Sequence, residues 1–272
     1  MGEPPRSGAK PIAEATAHND PGDTMRYVSI ATAIVGLAMM VTPNASAAEL
    51  TVLAGGSMTA SLKDLGPRFE QATGHTLVFR FAGTPDLIKQ ATSGAPFDLG
   101  VVPIDVMKDA AARAKFGATV DIARVGYGVA VRAGAPKPDV STPAALKAAL
   151  LAARSVALYP ESAAGAFVMR TFQRLGIADA MAAKLKPQAG PGDIPKAVAS
   201  GEAEFGVFLT NVLAAPGVEV VGPFPPELQQ ELVFVGAVAT ESRNADAARA
   251  FLDFLQSPAA AAAMKAKGMT PG

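Results

Sequence analysis

The 272-residue chain contains no cysteine and no tryptophan, and its two histidines are His18 and His75. Without cysteine there is no disulfide, no thiolate-ligated zinc and no thiol nucleophile. His75 lies in "ATGHT", a turn between an expected helix and an expected strand. It reads as a solvent-facing turn residue, which leaves neither a histidine-rich metal site nor a supported Ser-His-Asp arrangement. Charge of one sign is also missing: 24 Lys+Arg balance 24 Asp+Glu, and no basic run interleaves with aromatics. A nucleic-acid partner is therefore not expected. The Gly-Lys-Ser/Thr of a phosphate-binding loop and a complete G-x-G-x-x-G are absent as well. What is present is ordinary globular material: 50% hydrophobic residues, 18% charged, 26 Gly and 22 Pro.

The longest apolar run, from Val28 to Val41, spans about 14 residues, short of the roughly 20 that cross a bilayer. Arg26 precedes it, Pro43 breaks it, and Ala45-Ser46-Ala47 follows as a small-x-small cleavage pattern. This is the grammar of a secretory signal. Residues 1–24 carry Pro, Gly and acids where such a signal has a short basic start, so translation is expected to begin at Met25 and cleavage to follow Ala47. The expected compartment is the periplasm.

Beyond Ala47, short β-branched runs alternate with amphipathic stretches, the pattern of strands joined by crossover helices, and the predicted class is α/β. "LTVLA" (50–54) reads as a strand, and Met58 to Gln71 as a helix with a core stripe at Leu62, Leu65 and Phe69. Ser57 stands where its N-cap belongs. Strands are expected at 76–81 and 97–102, with a helix opened by Pro85 between them and another from Asp105 to Ala114. "VGYGVAVRAG" (125–134) reads as a strand leading to a second unit, which holds strands at 155–159, 205–209 and 218–222. "LVFVGAVAT" (232–240) returns to the first unit, and two helices close the chain. Two lobes follow: residues 48–127 with 237–272, and residues 128–236. The ligand cleft of such folds lies beyond the carboxyl ends of the strands.

Four strand-turn-helix junctions stand out. They are Gly55-Gly56-Ser57, Gly83-Thr84 before Pro85, Ser162-Ala163-Ala164-Gly165, and Gly190 to Ile194. The first turn of a helix leaves about four N–H groups without intrahelical partners and adds a partial positive charge. Such an end holds an anion without Lys or Arg. Any one Ser or Thr there is ordinarily a structural cap; four junctions shared between two lobes point to a site for a small anion.

From Ala48 to Gly272 the chain resembles the periplasmic molybdate-binding family of ABC-importer solute receptors. The resemblance rests on "LTVLAGGSMTASLKDLGPRFEQATGHTL", "GAPFDLGVV", "LGI", "GEAEFGVF", "GVEVVGPFP" and "SPAAAAAMKAKG", in that order. It implies a two-lobe periplasmic binding protein fold, each lobe a mostly parallel sheet flanked by helices. It also implies a monomer without cofactor, working with an inner-membrane ABC permease. In that family serine hydroxyls, backbone N–H groups and a tyrosine grip a tetrahedral oxyanion. Carried over by position, the serines fall on Ser57 and Thr84, the N–H donors on Ala164 and Ile194, and the tyrosine on Leu209. Gly56, Gly83 and Gly165 flank these positions. Two departures bear on the ligand: Thr84 is bulkier than serine, and Leu209 has no hydroxyl to donate. Tyr159, Ser162 and Asn211 are nearby substitutes by sequence.

The stretch "VAVRAGAPKPDVSTPAALKAALLAA" also resembles a divergent branch of the family that includes an exported aconitate isomerase. A tricarboxylate would call for cations, for which Arg80 and Arg124 are the candidates. An allylic proton shift needs a positioned base. Glu161 is the first candidate, with Asp86 and Asp105 behind it.

Overall fold

A computed structural model describes residues 47–272; the expected leader lies outside the described residues. In β1 (Glu49–Gly55) successive side chains alternate sides, so Leu50, Val52 and Ala54 join one apolar cluster and Leu53 another. Both faces of the sheet are covered, which is why this strand reads as a continuous hydrophobic run. A tight 3-10 turn, Gly56–Met58, leads into α1 (Thr59–Thr73), which buries Leu62, Leu65 and Phe69 and stops at Gly74, left-handed with φ 76°. The chain continues through β2 (Thr76–Ala82), α2 (Thr84–Thr92) and β3 (Leu99–Pro103). The single helix expected over Asp105 to Ala114 is divided into a 3-10 turn, Ile104–Lys108, and a short α3 (Ala110–Arg113). Asp109 separates them because its carboxylate caps α3, accepting from Ala112 N at 2.8 Å. Next comes β4 (Phe116–Val125), a strand that sequence reading passed over because charged and exposed residues interrupt its alternation.

The second sheet begins with β5 (Tyr127–Arg132). It is followed by α4 (Pro143–Ala152), β6 (Val156–Leu158), α5 (Ala163–Arg174) and α6 (Ala178–Ala182). A short β7 (Leu185–Pro187), also unforeseen, precedes α7 (Asp193–Ser200), β8 (Phe205–Leu209), α8 (Thr210–Leu213) and β9 (Val218–Pro223). The chain then returns with β10 (Leu232–Ala239) and ends in α9 (Ala245–Leu255), α10 (Pro258–Ala266) and β11 (Thr270–Pro271).

The result is a two-lobe α/β fold. One lobe carries a six-stranded sheet in the order β11-β4-β10-β3-β1-β2, and the other a five-stranded sheet in the order β7-β6-β8-β5-β9. Each sheet keeps a parallel block, β2-β1-β3 in one and β7-β6-β8 in the other, and adds antiparallel strands beside it. Strand β10, the returning strand expected over 232–240, pairs with β4 from Leu232 onward. His75 is not solvent-facing: it is 9% exposed, accepts from Ala48 N at 3.1 Å and stacks on Phe69. The turn that carries it is folded back over the start of β1.

The chain crosses between the sheets at Gly126 and again over residues 224–231. Gln229 ties the two crossings together: its Oε1 accepts from Tyr127 N and its Nε2 donates to Tyr127 O, both at 2.9 Å. Phe224 N also donates to Tyr127 O at 2.9 Å. Gly126 permits this approach, since a Cβ there would lie 3.2 Å from the Gln229 amide nitrogen. Gln229→Ala strands the Tyr127 N–H, so it is expected to lower stability by about 1–3 kcal/mol. The check is a shifted urea midpoint at unchanged slope.

Candidate functional site

The carboxyl ends of the two parallel blocks face each other, and the turns that follow them enclose one small cavity. From the first lobe come Gly56, Ser57, Gly83 and Thr84; from the second come Tyr159, Ser162, Ala163 and Ala164. Two contacts bridge the lobes. Thr84 Oγ1 accepts from Ala163 N at 3.3 Å, and Asn211 Nδ2 donates to the Ser57 carbonyl at 2.8 Å. Gly56 adds a close approach, because a Cβ on it would stand 2.9 Å from Pro191 Cγ. The lobes are thus in contact around the cavity, which offers a water-sized sphere about 20 Å³ of room. A single water takes roughly 10–15 Å³ on that measure, so with the lobes in contact the space is little larger than one water, and only a compact guest is taken in as the lobes adjust around it.

The donors that face this space can be counted off from the helix ends. Of the first three N–H groups of α5, that of Ala163 goes to Thr84 and that of Gly165 to the capping Ser162 Oγ at 3.0 Å, which leaves Ala164. In α2, Thr84 and Pro85 open the helix without a side-chain cap. Pro85 carries no N–H, and the N–H of Thr84 has no intrahelical acceptor. Thr84 Oγ1 uses a lone pair on Ala163, so its hydroxyl hydrogen is free to point inward. Ser57 is not an N-cap: the 3-10 turn displaces it, Met58 occupies that position, and no side chain caps α1. The Ser57 hydroxyl is consequently not spent on the helix.

Tyr159 completes the ring. It is 6% exposed and its hydroxyl has no hydrogen-bond partner among the described residues. Burial, and then the charges of Asp86 and Glu161, push its phenol above the ordinary value, so it remains a protonated donor. No Lys, Arg, His, Asp or Glu lines the cavity. Apolar walls close it: Pro103 at the end of β3, Leu232 and Phe234 at the start of β10, and Phe208. Sequence reading missed these walls. β10 is antiparallel, and its Phe234 pairs with Pro103, so its beginning sits level with the ends of its parallel neighbours.

Of the positions expected from sequence, Gly56, Ser57, Gly83, Thr84 and Ala164 line this cavity; Gly165, Ile194 and Leu209 do not. Gly165 serves the turn beneath, where a Cβ would fall 1.8 Å from the Tyr159 carbonyl oxygen. Ile194 is fully buried, and its N–H donates to Pro191 O at 3.3 Å. Leu209 is fully buried and pairs with Tyr127 in the sheet, while its neighbour Phe208 lines the cavity. Among the substitutes, Ser162 is the α5 cap and Asn211 the bridge to Ser57. Arg80 lines a separate surface pocket with Asp98 and Lys115, and Arg124 pairs with Asp121 at 2.7 Å. Asp105 pairs with Lys108 at 2.7 Å, outside the cavity lining. Glu161 is exposed beside the mouth, and Asp86 lines the outer groove. Among the described residues no group of three or more His, Cys, Asp or Glu side chains is placed to hold a metal ion.

Two α/β lobes closed over a small cavity walled by helix starts are the architecture of a solute-binding protein. Residues 50–270 match the model of the bacterial extracellular solute-binding protein family, and the chain belongs to that family. It is 33% identical over 241 residues to an aconitate isomerase of a Pseudomonas species, covering 82% of this chain and 87% of that one. It is 30% identical over 246 residues to the molybdate-binding protein ModA of Escherichia coli, covering 86% and 94%. Among solved structures, the periplasmic molybdate-binding protein of Azotobacter vinelandii superposes with a TM-score of 0.69 at 20% identity, covering 82% of this chain and 99% of that one. The tungstate-binding protein TupA of Desulfovibrio alaskensis does so with 0.61 at 16% identity, covering 83% and 99%.

The tight seat of α5 on the Tyr159–Pro160 turn is testable. Gly165→Ala is expected to lower stability by about 1–3 kcal/mol, since the clash is with backbone and cannot relax by a rotamer change. Gly192→Ala, where a Cβ meets nothing within 4 Å and φ is −69°, is the control. It should stay within about 0.5 kcal/mol in the same thermal unfolding measurement.

Proposed function

We propose that the protein is an exported receptor that captures a compact tetrahedral oxyanion of the molybdate or sulfate type in the cleft and presents it to an inner-membrane ABC permease. The observation that carries this reading is an interlobe cavity whose polar lining is neutral and rich in donors: the hydroxyls of Ser57, Thr84 and Tyr159 and the N–H groups that open α2 and α5. Donors of this kind stabilise an anion through fixed dipoles, with no cation to desolvate. Tyr159, just past the carboxyl end of the neighbouring parallel strand β6, supplies the phenol that Leu209 lacks. The relatives that bind molybdate and the signal pattern before Ala48 support receptor and export together.

The similarity to an aconitate isomerase favours a second reading, an enzyme on the same fold. Against it stands the lining: a tricarboxylate would meet no cation in this cavity, and the candidate bases Glu161, Asp86 and Asp105 are outside its walls. Calorimetric titration with molybdate, tungstate, sulfate and the aconitates separates the two. Micromolar or tighter binding of an oxyanion supports the receptor, and turnover of trans-aconitate, followed by ultraviolet absorbance, sinks it.

Two outcomes follow for the oxyanion. Ser57→Ala removes one hydroxyl donated to a charged group, worth about 1.5–3 kcal/mol, and should weaken binding roughly 10- to 100-fold without unfolding the protein. Unchanged affinity would remove Ser57 from the site. Because the Tyr159 phenol is pushed up, it stays protonated beyond its ordinary pKa of about 10, so affinity for a fully ionised oxyanion should be level from about pH 7 to about pH 10. A fall centred below that limit, absent in Tyr159→Phe, would contradict it.

A further inference from the structure

Outside the inner cavity lies a second, far larger space. A groove of about 650 Å³ runs along the mouth of the cleft, with Asp86, Lys89 and Gln90 of α2 on one side and Gly190 to Gly192 on the other. Inner cavity and groove share Gly56, Ala82, Gly83, Tyr159 and Pro191 in their linings. These shared residues form the partition between them. Most of that partition is thin backbone; Tyr159 is its one large side chain. The ring reaches across from the second lobe and presses on Gly83 of the first, where a Cβ would stand 2.3 Å from the phenol oxygen and 3.0 Å from two ring carbons. Gly83 has φ −77° and ψ 169°, extended backbone open to any residue, so a glycine is needed there for space and not for conformation. Gly56 likewise yields room to Pro191. Two glycines on one lobe are thus matched to two rings on the other.

Resting on the oxyanion reading, we propose that Tyr159 is the size-determining residue of the site. Its ring stands between a space of about 20 Å³ and one of about 650 Å³, so that the inner space stays confined to a compact anion and an elongated carboxylate is refused. Its hydroxyl, without a protein partner among the described residues, stands at the boundary of the two spaces, against Gly83, and can donate to a ligand seated there. Removing the ring joins the spaces into one elongated site, which keeps the donors of α2 and α5 at its inner end. Lys89 is the cation in the lining of its outer part. A carboxylate with a second charged group one chain length away would then be held at both ends.

The test is calorimetry with molybdate, sulfate and citrate on the wild type, Tyr159→Phe and Tyr159→Ala, with circular dichroism to confirm folding. Tyr159→Phe keeps the wall and loses the donor, so oxyanion affinity should fall about tenfold or more with citrate still refused. Tyr159→Ala should bind citrate at least tenfold more tightly than the wild type does, and Lys89→Gln in that background should reverse the gain. Gly83→Ala, which displaces the ring without deleting it, should admit citrate in the same direction and serves if Tyr159→Ala is poorly folded. A wild type that binds oxyanion, with no citrate gain in either Tyr159→Ala or Gly83→Ala, overturns the wall and leaves the receptor reading standing. A wild type that takes citrate and no oxyanion overturns both.

Discussion

The N–H groups of a helix's first turn cannot be satisfied within the helix, and the site is organised around that deficit. Capping consumes some of them: Ser162 takes the N–H of Gly165, and Thr84, from the other lobe, takes that of Ala163. Pro85 removes another by having none. What remains is a small set of donors in a space walled by Phe208, Phe234, Leu232 and Pro103, where a hydrogen bond to a charged ligand is not diluted by water. An anion is the one kind of guest that repairs the deficit without bringing a cost of its own in unpaired donors.

Closure depends on the same geometry. The bonds that hold the lobes together, Thr84 to Ala163 and Asn211 to Ser57, are made by residues adjacent to the proposed ligand contacts. Ligand and lobe contacts therefore act on one pair of surfaces. The crossings at Gly126 and 224–231 are clamped by Gln229, so a hinge motion has a short, defined pivot. The bridges are few and not fully satisfied: one is 3.3 Å long, and Asn211, which makes the other at 2.8 Å, leaves its Oδ1 buried without a partner among the described residues. Weak bridges of this sort suit a cleft that has to reopen.

In the proposed site, Tyr159 takes the donor role that Leu209 cannot fill. Leu209 closes the central strand β8 of the second lobe's sheet, fully buried and paired with Tyr127, and offers only an apolar side chain. Tyr159 leaves β6 at the turn, and Gly165 beneath it and Gly83 opposite make the room its backbone and ring require. Burial and the carboxylates of Asp86 and Glu161 keep its phenol protonated, which turns two exposed acids at the mouth into supports for a donor inside.

Local chemistry was enough to read much of this from sequence. Class, alternation, core stripes such as Leu62, Leu65 and Phe69, and the glycine-bearing junctions at Gly56 and Gly83 all depend on neighbours within a few residues. Three things were decided only in tertiary structure. His75 is buried because Ala48, just before β1, is hydrogen-bonded to it, a contact across 27 residues that no turn motif encodes. The walls at Leu232 and Phe234 come from the antiparallel sense of β10, and strand direction is a property of the assembled sheet. The choice of Tyr159 over Leu209, and of Ser57 as a free hydroxyl over a helix cap, was set by which side chains two separate lobes bring within reach of each other. Sequence order carries no measure of that distance.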